Sequence, residues 1–241
     1  MGRILTEKDV EPAVRGGAVY ATSGGGWVDH GRKLGHAAVN AGAPELVSVD
    51  ELNEDDWVAT AAAIGAPAST TPWEMRPVDY HKAVQLLQEA LGERVAALMV
   101  GQNGKSSTLN AWFPSALMGC KVLDAMGDMR AHPTGDMGAI GMAGRPDQTI
   151  QTAVGGNREL NRYIELVARG ATGRASPILR TASDMSGGFI ACPTAQKQEA
   201  GDAQALQETR DRTFNLKHRV NPSWFDTDQC IRRRIVAGTA S

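Results

Sequence analysis

Three cysteines in 241 residues, Cys120, Cys192 and Cys230, are too few and too scattered for a disulfide framework or a zinc-ligand spacing. Thiols used this sparingly fit a reducing compartment, so a cytoplasmic location is expected. There is no large basic block, and the formal net charge is -2, which argues against nucleic acid or an anionic membrane as partner. The one basic cluster, Arg232 to Arg234, reads as part of a solvated tail. No apolar run approaches the roughly 18 residues a bilayer-spanning helix needs. The first nine residues carry charges where a signal peptide has its apolar core. Gly2 with Thr6 fits the myristoylation pattern, although one acyl chain alone binds a membrane only marginally. The G-x-G-x-x-G fingerprint, the H-E-x-x-H zinc motif and the G-x-S-x-G elbow of serine hydrolases are all absent.

What is present is the composition of a soluble globular protein, 42% hydrophobic and 22% charged. Thr6 with Asp9 predicts a helix start, and Gly16-Gly17 its end, followed by a short strand over 18–22. A helix is expected over 29–41, a strand over 45–49, an acidic turn over 50–56 and a buried strand over 57–64. Further on come a helix over 81–91, a strand over 95–100, a helix over 108–118 and a strand beginning at Val122. Recurring strand, glycine loop and helix predict an α/β fold, a mostly parallel sheet with flanking helices, over residues 1–160. A second unit starts over 161–195, and a helix is expected over 157–169 across that boundary. Residues 196–241 lack apolar periodicity and are expected to be irregular.

The polar residues gather in three places. Residues 121–136 hold Asp124, Asp128, Arg130, His132 and Asp136 in a segment leaving a strand, where α/β proteins build their sites. Carboxylates and imidazole are suited to bind a divalent metal or to move protons, with Asp124 and Asp128 as the candidate metal ligands. Singly, each has an equally good alternative: a loop-capping carboxylate for Asp124, a surface histidine for His132. Gly24, Gly25 and Gly26 precede a helix, so their amides could receive an anion or a carbonyl oxygen; a tight turn without a ligand explains them as well. The third place is the loop 101–107. Its Gly-Lys-Ser is two residues short of a P-loop, which leaves Gln102, Asn103 and Ser106 as a polar lining for a cyclic amide or urea. Nucleophiles are scarce: Cys120 reads as core, and Cys192 is the better candidate thiol.

These stretches, in order, resemble a known family. Residues 1–9, Ala21-Thr-Ser-Gly-Gly-Gly26 and Ile64-Gly-Ala-Pro67 look like successive motifs of the S-methyl thiohydantoin desulfurase family. The stretch from Leu123 to Pro133 is similar to its Asp-Ala-Asp-x-x-Gly-Arg-Ala-x-Pro signature, matching at Asp124, Ala125, Arg130, Ala131 and Pro133. Met185-Ser-Gly-Gly188 resembles its later Met-Gly-Gly motif. The likeness spans residues 1–195 and implies an N-terminal α/β domain followed by a mainly β domain. It also implies chemistry on thiohydantoins or related cyclic amides, in association with hydantoinase and oxoprolinase genes. The chain departs from the pattern at Gln102, at the Asn103-Gly104-Lys105 turn and at Met126, where one carboxylate is replaced, with Asp128 two residues on. The β domain is expected to be truncated or rewritten after about residue 195.

Together these features predict a hydrolase-like enzyme acting on a C–N or C–S bond of a hydantoin-type ring. Asp124, Asp128, Arg130 and His132 would be catalytic, and Gly24 to Gly26, Gln102, Asn103 and Ser106 would bind substrate. The alternative is a non-catalytic, ligand-binding partner subunit of a hydantoinase-type complex; a homo-oligomer is expected in either case.

Overall fold

A computed structural model describes residues 2–21, 24–53, 55–65, 75–131 and 148–196. Among the described residues, ten strands form one mixed sheet, with five helices on its faces. Helix α1 (Glu7–Ala21) opens as expected, with the Asp9 carboxylate accepting from the Thr6 amide at 2.8 Å and its hydroxyl at 2.9 Å. It then runs straight through Gly16 and Gly17, so the helix stop and the strand over 18–22 are both overturned. The reason is packing: a Cβ at Gly17 would lie 2.0 Å from the Gly104 carbonyl oxygen, so glycine there permits contact instead of ending the helix.

Helices α2 (Val28–Ala41) and α3 (Pro77–Leu91) occupy the places their apolar spacing predicted. Strands β1 (Arg3–Ile4), β2 (Glu45–Val47), β3 (Trp57–Ala61), β5 (Val95–Gln102) and β6 (Lys121–Asp128) surround them in sequence. The order β2-β6-β5-β3 is a parallel block, and its register runs through Leu46↔Val122, Leu98↔Val122 and Ala59↔Leu98. Helix α4 (Trp112–Met118) follows a short 3-10 turn at Ser107–Leu109, so it starts later than expected. Leu34, Leu87, Leu98, Leu109 and Val122 bring the helices and one face of the block into a single apolar core.

The sheet is not mostly parallel, because six of the nine strand pairings among the described residues are antiparallel. Strand β4 (Ala63–Gly65) continues β3 after a break at Ala62. Strands β9 (Phe189–Ala191) and β10 (Thr194–Gln196) form the kinked antiparallel neighbour of that pair. The Cys192 amide donates to the Ala62 carbonyl at 2.9 Å, and the Thr152 amide to the Pro193 carbonyl at 3.1 Å, which stitches both kinks in place. Strand β7 (Gln148–Gly155) pairs with β10 and β9 on one side and β8 (Ile164–Ala171) on the other.

The segment expected to be helical over 157–169 is therefore a strand in its second half. Its residues pair with β7 along their whole length, and Ile164, Leu166 and Ala168 point the opposite way from Glu165, Val167 and Arg169. Helix α5 (Thr172–Met185), which the sequence reading did not foresee, covers the face of β7 and β9 opposite α3. The expected boundary at residue 160 falls between β7 and β8, and strands on both sides of it share the sheet. Among the described residues, no helix is long and apolar enough to cross a membrane. The tail over 197–241 lies outside the described residues.

Candidate functional site at the carboxyl edge of the parallel block

Strands β5 and β6 end side by side, with Gln102 opposite Asp128. Strand β6, expected from Val122, runs on to Asp128, because β5 supplies pairing partners for Met126 and Asp128. Alternation along both strands puts Gln102 and Asp128 on the side of Val100 and Met126, which face the helix layer. Asp128 is 8% exposed. Asp124 is half-buried in the middle of β6, where the pairing with β5 shifts register.

The glycine loop lies over this edge. It joins two helices, not a strand and a helix as the sequence suggested. Gly25 and Gly26 have φ of +76° and +79°, a left-handed backbone that other residues adopt only at a cost. The Gly25 carbonyl accepts from the Ser106 amide at 2.9 Å and the Ser107 amide at 3.3 Å. A Cβ on Gly104 would come within 2.3 Å of the Gly25 Cα, and one on Gly24 within 3.0 Å of the Ala131 Cβ. The three polar segments of the sequence thus meet: the glycine loop, the loop after β5, and the end of β6.

Their side chains divide between scaffold and candidate chemistry. Ser106 is fully buried, with its hydroxyl 3.5 Å from the Gly25 carbonyl, so it ties the two loops together. The Asn103 amide nitrogen donates to the Met126 sulfur at 2.7 Å and points to the Met129 carbonyl at 3.4 Å, which fixes the loop after β5 to β6. Gln102 is half-buried at the edge, and Arg130 is exposed just beyond it. His132 and Asp136 lie outside the described residues.

Asp124 and Asp128 sit on one extended strand. At ~3.3 Å per residue their backbones are about 13 Å apart, a spacing at which one divalent ion reaches only one of them. Among the described residues there is no group of three or more His, Cys, Asp or Glu side chains that could hold a metal ion. Cys192 is 5% exposed, and burial pushes its thiol up to about 12, which removes the nucleophile it offered in sequence. Burial likewise pushes Cys120 up to about 11.

A row of rings beside the glycine loop was not anticipated. Trp27, directly after Gly26, meets Phe189 edge to face with centroids 5.3 Å apart. Phe189 meets His30 at 6.0 Å, and the His30 Nε2 lies 3.2 Å from the Tyr80 hydroxyl. His30 and Tyr80 are buried; burial, then the nearby Cys192 and Asp79, hold the Tyr80 phenol protonated well above its ordinary range. A tryptophan closing a triple-glycine run was the available sequence signal. Its partner Phe189 comes from β9, a contact no local pattern reveals.

A crystal structure of a protein from Chromobacterium violaceum is similar in fold, with a TM-score of 0.62 at 22% identity. The match covers 88% of this chain and 62% of that one, so the chain spans less than two thirds of the length of that relative. No curated protein matches the chain. The family model described as S-Me-THD-like, N-terminal domain, matches residues 8–160, which hold α1 to α4, β2 to β7 and the glycine loop. The chain belongs to the S-Me-THD-like family.

Proposed function

We propose that this chain binds a thiohydantoin-type cyclic amide at the carboxyl edge of β5 and β6 and cleaves its C–S or C–N bond by hydrolysis. The observation that carries the proposal is the convergence of the Gly24–Gly26 loop, Gln102 and Asp128 at one edge of the sheet, in a chain of a thiohydantoin-related family. For an S-methylated ring the balance is simple. Water adds to the carbon bearing sulfur, the C–S bond breaks, methanethiol leaves with one proton, and the hydantoin remains.

Each group has a task in that step. Asp128, at the strand end, accepts the proton from the attacking water. Gln102 presents an amide to the ring's own amide edge. Arg130, just beyond the strand, stabilises the negative charge that develops on the ring. Glycine-loop amides serve the same charge from the other side. Asp124, about 13 Å back along β6, supports the strand that carries Asp128, and His132 returns the proton to the leaving group. If a divalent ion takes part, Asp128 is its ligand from β6, and the ion would supply a more acidic water.

The test is release of methanethiol from S-methyl thiohydantoin, measured as free thiol. Asp128→Asn is expected to lower kcat at least 100-fold while the thermal midpoint stays close to wild type, the size typical of a general base, and Asp124→Asn to lower it less. Turnover unchanged by Asp128→Asn would remove that residue from the mechanism, and no thiol release by the wild type would remove the reaction.

A further inference from the structure

We infer that the exposed face of the Trp27 indole is the stacking platform for the flat ring of the ligand whose polar edge meets the glycine loop. The identity of that ring rests on the thiohydantoin reading above; the platform itself rests on geometry. Trp27 is 62% exposed, although a tryptophan ordinarily hides most of its surface. Its backbone is anchored on both sides: the Gly25 carbonyl accepts two amides from the loop after β5, and the Trp27 carbonyl accepts from the Gly31 amide at 3.0 Å. Its ring is braced against Phe189 at an interplanar angle of 77°.

An edge-to-face contact with Phe189 covers at most one face of the indole, and the residue keeps most of its surface exposed. Phe189 is itself set between Trp27 and His30 and lies against Gly65, where a Cβ would come within 3.2 Å of its ring. His30 continues the row to Tyr80 in the core. The exposed indole is therefore the outer end of a packed row that starts in the interior. An aromatic held in place before binding loses little freedom when a ligand stacks on it.

The ligand chemistry follows. A planar, sp2-rich ring fits an indole face, and its in-plane N–H and C=O groups remain free for the amides of the adjacent loop. A puckered lactam presents one amide N–H and C=O without the flat face. Trp27 thus selects for ring planarity, while the loop selects for the amide edge.

Calorimetric titration of the full chain with 2-thiohydantoin, and with 2-piperidone as a puckered control, tests this. Trp27→Ala is expected to weaken 2-thiohydantoin binding about tenfold and Trp27→Phe by only a few-fold, in line with the usual worth of aromatic stacking. Binding of 2-piperidone is expected to be equal in all three proteins, and circular dichroism to be superimposable. Equal 2-thiohydantoin affinity in wild type and Trp27→Ala would overturn the platform. So would a fall in solution mass of Trp27→Ala with affinity retained, which would assign the indole to a contact between subunits. No 2-thiohydantoin binding by the wild type would overturn platform and substrate class together. Trp27-dependent binding without turnover would support the platform and reject only the hydrolase.

Discussion

The parallel block β2-β6-β5-β3 and the antiparallel strands β7 to β10 bury themselves in different ways. The first is lined on its helix face by Leu98, Val100, Val122 and Met126, against leucines and valines of α1, α2 and α3 and against Trp112 and Phe113 of α4. The second is built from Ala153, Ala168, Ala175 and Cys192 around Leu179 and Ile190 under α5, with Thr149 and Gln151 buried on β7 and Thr152 buried on its opposite, α3 face. There the side chains bond to backbone: Thr152 donates to the Ala83 carbonyl at 2.8 Å and Ser183 to the Ile64 carbonyl at 3.0 Å. Apolar bulk holds the block that carries the candidate site. Small residues and hydrogen bonds hold the strands that brace it.

That contrast gives the largest expected effect. Leu98→Ala, in the block, should cost about 3–4 kcal/mol by leaving a cavity among packed neighbours. Thr152→Val, in the antiparallel half, should cost about 1 kcal/mol, the worth of one hydrogen bond. Urea denaturation of both variants measures the difference, and equal losses would erase the distinction between the halves.

One ion pair crosses from one half to the other. Asp79, 1% exposed in the first turn of α3, accepts from Arg158 at 2.7 Å, and the guanidinium lies 4.1 Å from the centre of the Tyr163 ring. Arg158→Ala strands that carboxylate and should cost about 3 kcal/mol, whereas Asp79→Asn combined with Arg158→Ala should cost less than the sum of the two. Additive losses would show that the pair is not coupled.

The smallest effect belongs to the surface of the helix layer. Hydrogen bonds from Arg32 and then Arg15 hold the Glu11 carboxyl at about 2, below its ordinary 4.5. A depressed carboxylate contributes stability above its unfolded value and loses it as the pH falls towards the folded one. Wild type should therefore lose thermal midpoint slightly faster than Glu11→Gln between about pH 4.5 and 2, and added salt should shrink the gap.

The same two halves divide what the residues disclosed in advance. In the block, long runs such as 95–100 and clear helical spacing in 81–91 left little room for error, because each element carries its own apolar signature. Beyond residue 147, Leu160, Ile164 and Val167 mimic a helical stripe, yet Ile164, Leu166 and Ala168 serve a strand once β7 is beside them. The long-range partner decided the matter. Gly16 and Gly17 misled for a related reason: glycine marks close approach as readily as termination, and only Gly104 across the gap tells which. The candidate site was legible as three polar segments in chain order. Which residues within them are scaffold, as with Ser106 and Asn103, depended on contacts between segments.

Strand β10 stands between β3 and β7, the two halves' nearest members, and is hydrogen-bonded to both. During synthesis the block can emerge with its helices and pair locally, but its exposed flank has no partner until residues 194–196 leave the ribosome. The closing of this sheet is thus a late, long-range event, of the kind that slows folding. Until it happens β3 is an open edge, ready to pair with whatever strand arrives first.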